Sequence, residues 1–312
     1  MKAQVTVPDT LPYSTTAALR RFPANQTVFA RMSNDPAFRS RIIDGGQTRT
    51  WDREDSALRD AAWAVLEDLS AHAYEKNVES GLTDPLVGPD DLGKLTTKLK
   101  RAASVFGAGG TGIARVNRLW LYAVDGEEVI PEHLGSVIVM VVPMDRDAIS
   151  QSPSPIADAA TGNGYARMAF VTSCMVNFVR RLGWSAVGCG NDTALSVPLA
   201  IDSGLGECGR NGILTTPDLG SCVRICKVFT DFPLLTDRPA SLGMAEQCNR
   251  CRRCVRACPV GAISSKSPTS EGLGPSSNPG VVKWPVDGEK CRRFWTVNGN
   301  SCSNCIDACP YS

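Results

Sequence analysis

The chain has 312 residues, 43% of them hydrophobic and 21% charged, with 33 basic residues against 32 acidic ones and a formal net charge of +1. This is the composition of an ordinary globular protein, and it excludes a nucleic-acid partner held through a basic stripe. The length allows a core of about 200 residues plus an appendage, and no run of 18 apolar residues is present to span a membrane.

The first fifty residues, rich in Thr, Pro and Asn, read as an irregular arm lying over something larger. The N-terminus lacks a basic-then-apolar leader, and Arg20-Arg21 runs into Phe-Pro-Ala-Asn, so the chain as written reads as cytoplasmic, although a removed twin-arginine leader would leave the same sequence. Trp51 to Asn77 predicts a helix, because Leu58, Ala62, Val65, Leu66 and Leu69 recur at helical spacing behind acidic residues. Asp90 to Phe106 predicts a second, with Lys94, Lys98 and Lys100 on its exposed side and the glycines of 107–112 as its stop. Strand and helix then take turns: strands at 118–124 and 137–143, a helix from Tyr165 to Leu182, a strand at 184–187, a helix at about 197–203 and a strand at 223–230. That alternation predicts an α/β core. The Pro-rich 231–239 links it to the rest, and Ser264 to Gly280 reads as an inserted loop. The expected divisions are an N-terminal arm and covering helices (1–110), the α/β core (111–243) and a C-terminal domain (244–312).

Eight of the thirteen cysteines fall in that last division. Cys248, Cys251, Cys254 and Cys258, followed by Pro259, have the C-x2-C-x2-C-x3-C-P spacing that wraps a cubane iron–sulfur cluster in bacterial ferredoxins. Cys291, Cys302, Cys305 and Cys309, followed by Pro310, are a stretched copy. Three thiolates two residues apart converge on three irons, and the fourth reaches the neighbouring cluster. One [4Fe–4S] cluster is therefore expected on Cys248, Cys251, Cys254 and Cys309, and a second on Cys258, Cys291, Cys302 and Cys305. A disulfide framework suits small secreted domains, and zinc takes paired C-x2-C without the third cysteine and the C-x3-C-P tail. Cys174, Cys189, Cys208, Cys222 and Cys226 read as buried free thiols.

Clusters carry single electrons, so the chemistry belongs to the core. The stretch FVRRLGWSAVGCGNDTALSVPLAIDSGLGECGRNGILTTPDLGSCVRICKVFTDFPLLTDRP, running into the first cysteine motif, resembles the corrinoid-dependent reductive dehalogenases. The resemblance covers roughly residues 110 to 310. It implies a nitroreductase-like, corrinoid-binding α/β core followed by a ferredoxin-like domain. It also implies cobalamin held without a lower histidine, reduced to Co(I) through the clusters, and used to remove halogen from an organohalide. The chain has only His72 and His133, neither in an Asp-x-His-x-x-Gly arrangement. By the same resemblance Tyr165, at the start of its helix, donates the proton, Arg224 steadies the phenolate and Asn191 supports the pair. Thr161 matches a small hydroxyl residue near the corrin or substrate. A phenol beside a guanidinium is a better acid near neutrality.

Without the resemblance Tyr165 reads as a packed aromatic, Arg224 as a partner of Glu207 or Asp231, and Asn191 as a turn residue. Trp120, Trp184 and Trp295 are candidates for lining a substrate pocket. No fused reductase domain is visible, so electrons are expected from an external donor such as a ferredoxin, a flavodoxin or a reductase. Two other functions compete. Epoxyqueuosine reductase pairs a corrinoid with two such clusters but is expected to show basic surface and an acidic proton donor. A non-catalytic iron–sulfur electron carrier would not need a core of this size.

Overall fold

The computed structural model describes residues 5–8, 11–43, 48–73 and 92–312. Its centre is a four-stranded antiparallel sheet of β1 (Gly110–Arg115), β2 (Ser136–Pro143), β3 (Ala186–Cys189) and β6 (Val223–Thr230), in the order β1-β2-β6-β3. β4 (Glu207–Cys208) and β5 (Leu214–Thr215) form a separate short pair.

β2 is an unbroken apolar run because both its faces are covered. Val137, Val139 and Val141 point into one core with Trp120, Leu121 and the residues Leu199, Ala200 and Ile201 of helix α7 (Ser196–Asp202). Ile138, Met140 and Val142 point into the other, with Leu99 and Ala103 of α4 (Leu92–Phe106) and Met168, Val171, Met175 and Val179 of α6 (Pro155–Arg181). Strand geometry sends alternate residues to opposite faces, so on β6 the side chains of Arg224, Cys226 and Val228 share the α6 face.

α6 starts ten residues earlier than its periodicity suggests. Ser154 caps it by accepting from the Ala157 amide, Pro155 occupies the first turn, and Arg180 and Arg181 stand at its negative end. Tyr165 therefore lies in its third turn, not at its start. α3 (Arg53–Ala73) runs against α6, and residues 74–77 of the expected helix lie outside the described residues. Residues 90 and 91 of the next expected helix lie outside them too; Lys100 of α4, expected on the exposed side, is half-buried in an ion pair with Asp237 at 2.6 Å.

Three expectations are corrected. Residues 118–124 form a 3-10 turn (Arg118–Trp120) and isolated bridges instead of a strand, because Asn117 caps the turn and the Arg118 guanidinium donates to the carbonyls of Ile130, Pro131 and Glu132. The glycine stretch after α4 becomes the strand β1. The first fifty residues contain two helices, α1 (Val28–Asn34) and α2 (Pro36–Ile43), and are tied to later segments by bridges such as Thr6 to Ser241 and Thr15 to Val281.

The chain beyond 240 carries α8 (Met244–Cys251), α9 (Arg253–Ala257), α10 (Gly288–Asn298) and α11 (Asn304–Asp307), with α5 (Arg146–Ile149) in contact with α11. No helix among the described residues is long and apolar enough to cross a membrane.

Candidate functional site

Tyr165, Arg224 and Asn191 meet although they come from three elements: α6, β6 and the loop between β3 and α7. The Asn191 side-chain amide donates to the Tyr165 phenol oxygen at 2.6 Å, and an Arg224 guanidinium nitrogen lies 3.4 Å from the same oxygen. The guanidinium carbon also sits 4.5 Å from the Tyr165 ring centre, a cation–π contact. Arg224 pairs with neither acid considered for it: Glu207 accepts from the amides of Leu242 and Met244, and Asp231 from Ser185.

Local sequence explains the convergence. Two glycines inside α6 weaken it by roughly 1 kcal/mol each, yet both are needed for close approach. A Cβ on Gly164 would stand 3.2 Å from Arg224 Cγ and 3.0 Å from Met144, and one on Gly162 would stand 3.1 Å from the Trp63 ring. The Asn191 loop is held from beneath by Lys227, fully buried on β6, whose ammonium donates to the Gly190 carbonyl and, at 2.8 Å, to Ser196 Oγ. Burial pushes the Lys227 pKa down. In the same loop Thr193 has φ +70°, a strained conformation for a β-branched residue. Loop strain beside the Tyr165 amide contact is the kind found at functional positions.

Trp63 is the residue that sequence reasoning missed. Its ring lies 5.6 Å from that of Tyr165, and its indole donates to Asp158 at 3.2 Å. The tryptophans expected to line a pocket are placed elsewhere: Trp120 is buried and bonded to Asp202, Trp184 stacks on Phe232, and Trp295 faces Phe29. No local signal pairs Trp63 with Tyr165, since their contact depends on α3 lying against α6.

Thr161 lies one turn before Tyr165, 4% exposed, with its hydroxyl unpartnered; Arg224 Nε is likewise buried without an acceptor. Such groups cost free energy when left alone. Two orphans next to a tyrosine whose oxygen collects donors leave hydrogen-bonding capacity for a polar group, which the polar periphery of a corrinoid would supply. His133 is exposed ahead of β2.

The eight cysteines fall into two groups. Cys248, Cys251, Cys254 and Cys309 line one cavity together with Arg210, Asn211 and Tyr311. Burial first, then its neighbours Cys248, Cys309 and Cys251, pushes the Cys254 thiol up to about 11. Burial and then Cys302 and Cys258 push Cys291 to about 11, and Cys305 is raised by burial and by Cys291, Cys302, Cys254 and Cys258. Crowded buried thiols that raise one another become stable thiolates when a metal centre offsets their charge. Among the described residues no three His, Cys, Asp or Glu gather as around a single metal ion; four thiols stand around a cavity, which fits a polynuclear cluster. All thirteen cysteines are free of disulfides.

The second group lies towards Tyr165. Cys305 and Ile306 pack with Ala160 of α6, Met144 and Cys222, and Ser301 donates to Asp158 of α6 at 2.6 Å. The segment 204–212 is the seam. Glu207 caps α8, Asn211 donates to the Cys305 carbonyl, and the buried Arg210 donates to the carbonyls of Cys248, Ser264 and Lys266 and stacks over Trp284 at 4.4 Å.

Comparison with known proteins agrees with this layout. Residues 119–234 match the family model "reductive dehalogenase subunit", and residues 247–312 match "4Fe-4S dicluster domain". A tetrachloroethene reductive dehalogenase of Desulfitobacterium hafniense is 46% identical over 181 residues, 57% of this chain and 33% of that protein. Another, of Sulfurospirillum multivorans, is 32% identical over 263 residues, 74% of this chain and 51% of that protein. The chain thus spans about a third to a half of the length of these curated relatives. Epoxyqueuosine reductases match shorter stretches, 35–37% of the chain. A solved reductive dehalogenase described in connection with B12-dependent dehalogenation superposes with a TM-score of 0.78 at 22% identity, over 98% of this chain and 44% of that one. These matches, in keeping with the two groups of thiols behind an α/β core, give residues 119–234 a reductive dehalogenase family domain and residues 247–312 a ferredoxin-like 4Fe–4S dicluster domain.

Proposed function

We propose that the protein reductively removes halogen from an organohalide, with Tyr165 as proton donor, and that electrons reach the site from an external donor protein through two [4Fe–4S] clusters. The observation that carries the reading is the convergence of Asn191 and Arg224 on the Tyr165 oxygen. Replacing a carbon-bound halogen by hydrogen takes two electrons and one proton and releases halide. Cobalamin bound beside Tyr165 would supply a strongly reducing cobalt for the carbon–halogen bond.

The remaining work belongs to side chains. Tyr165 gives its proton to the product carbon. Arg224 and Asn191 then face a phenolate that one positive charge and one amide hydrogen stabilise. Lys227 holds the Asn191 loop, and Trp63 backs the tyrosine ring. Thr161 and Arg224 Nε offer the unpartnered polar atoms for the corrinoid or the substrate. Cys248, Cys251, Cys254 and Cys309 would hold one cluster, and Cys258, Cys291, Cys302 and Cys305 the other, nearer α6.

The test is Tyr165→Phe in protein loaded with iron and cobalamin. Halide release should fall by about 100-fold or more, the usual contribution of a positioned general acid, with both cofactors retained. Undiminished release would remove Tyr165 from the chemistry.

A further inference from the structure

The cations of the cluster domain fall into two sets. Arg210 and Arg292 are inner ones: Arg210 is buried against Cys248, and Arg292 adjoins Cys291. Arg252, Arg253, Arg256 and Arg293 are exposed, and none makes an ion pair among the described residues. Of the nearby acids, Glu246 pairs with Arg250, Asp287 with Lys290 and Glu289 with Arg31, while Asp307 on α11, which packs against α9, is exposed and in no ion pair among the described residues. In a chain of net charge +1 this is a local concentration of positive charge.

Arg252 also sits at φ +52°, ψ +18°, a left-handed position that costs a non-glycine residue roughly 1 kcal/mol. A glycine would be at ease there, yet the side chain present is a cation. Gln247, Arg252 and Arg253 are exposed residues among those lining the first cluster cavity. α9 connects that cavity to an apolar groove: past its end comes Val260, 37% exposed, which with Phe294 and Val297 lines a hollow rimmed by Lys290 and Arg293. An apolar centre inside a charged rim is the anatomy of a protein interface.

We propose that this face, from Arg252 across Arg256 to Arg293, docks an acidic one-electron carrier protein, and that electrons arrive at the cluster of Cys248, Cys251, Cys254 and Cys309. The proposal rests on the cluster-relay part of the function proposed above and not on the organohalide chemistry. In each encounter the donor is oxidised by one electron, the cluster is reduced by one, and no proton moves. Surface cations of this kind accelerate association with an acidic partner and do so less as salt rises.

The experiment mixes iron-loaded protein, without corrinoid or organohalide, with a reduced acidic [2Fe–2S] ferredoxin and follows bleaching of the clusters at low and high salt. Arg256→Glu on α9 and Arg293→Glu on α10 are compared with the parent protein, with the reduced methyl viologen cation as a small control reductant. The parent rate should fall as salt rises. Each variant that retains its iron should react with the ferredoxin several-fold to about tenfold more slowly at low salt, with a flatter salt dependence and an unchanged viologen rate. A parent rate indifferent to salt would overturn the proposal. So would variants as fast as the parent, variants slowed equally with both reductants, or loss of iron in both, since the cations would then serve the clusters themselves.

Discussion

The sheet core and the cysteine-rich lobe are held by different forces. β2 and β6 bury apolar side chains on both faces, and the two cores they separate account for most of the fully buried hydrophobic residues. From residue 244 onward the buried hydrophobic residues are Met244, Ala262, Ile263, Trp284 and Ile306. Such a sparse interior is too small to stabilise a segment of this length by itself. The lobe is clamped to the core by Glu207, Arg210 and Asn211, and on the function proposed above its thiols add the bonds to two clusters. On the function proposed above the contrast has a logic: the packed core would hold Tyr165 in a fixed geometry, and the ligand-built lobe would bring redox centres towards it.

Removing iron breaks the comparison most severely. Chelation should abolish hydrogen-exchange protection in α8 to α11 while amides of β2 and β6 stay protected; equal loss in both would mean that the core also depends on the clusters. Next in size is Arg210→Ala. It leaves the carbonyls of Cys248, Ser264 and Lys266 without their charged donor and opens a void under Trp284. A loss of about 3 kcal/mol or more is expected, felt in the lobe, since hydrogen bonds to charged groups contribute ~1.5–3 kcal/mol. Denaturant titration with a lobe-specific probe, cluster absorbance, reads this directly.

The smallest effect belongs to the core. Tyr13, on the N-terminal arm, donates to Asp202 at 2.6 Å, and burial together with that carboxylate pushes its pKa upward from 10.0. A folded pKa raised above the unfolded one contributes stability that is present below pH 10 and is lost as pH rises above it. The difference in unfolding free energy between the parent protein and Tyr13→Phe should therefore be flat from neutrality to about pH 9 and shrink beyond pH 10, by the ~1 kcal/mol scale of one hydrogen bond. A difference that grows with alkali would contradict the assignment.

How much of this was legible depended on the kind of signal. The short C-x2-C-x2-C spacing is a local signal of a ligand loop, whereas the place of Cys309 in the cavity of Cys248, Cys251 and Cys254 depends on how the two cysteine runs fold together. The strand at 137–143 was plain from a continuous apolar run, and the strand at 223–230 from a β-branched and aromatic stretch interrupted by Arg224 and Lys227. β1 was not, since Gly110 and Gly112 look like a stop; Gly112 is there because a Cβ would collide with the Ser203 carbonyl. The apolar run at 118–124 imitates a strand, but Arg118 captures backbone carbonyls and folds it into a turn. The start of α6 was hidden by Pro155 and by Gly162 and Gly164, whose roles depend on neighbours far away in sequence. Trp63 was invisible for the same reason: nothing local says that α3 lies on α6. The convergence of Tyr165, Asn191 and Arg224 came from family resemblance; pattern alone would have left them as a packed aromatic, a turn residue and an ion-pair partner of Glu207 or Asp231.

The most direct test of the central claim is the cofactor content of protein reconstituted anaerobically with iron, sulfide and cobalamin. The account predicts about eight iron atoms per chain, four for each cluster, together with one corrinoid showing a base-off spectrum. About eight irons with no corrinoid uptake would contradict it and leave an iron–sulfur electron carrier.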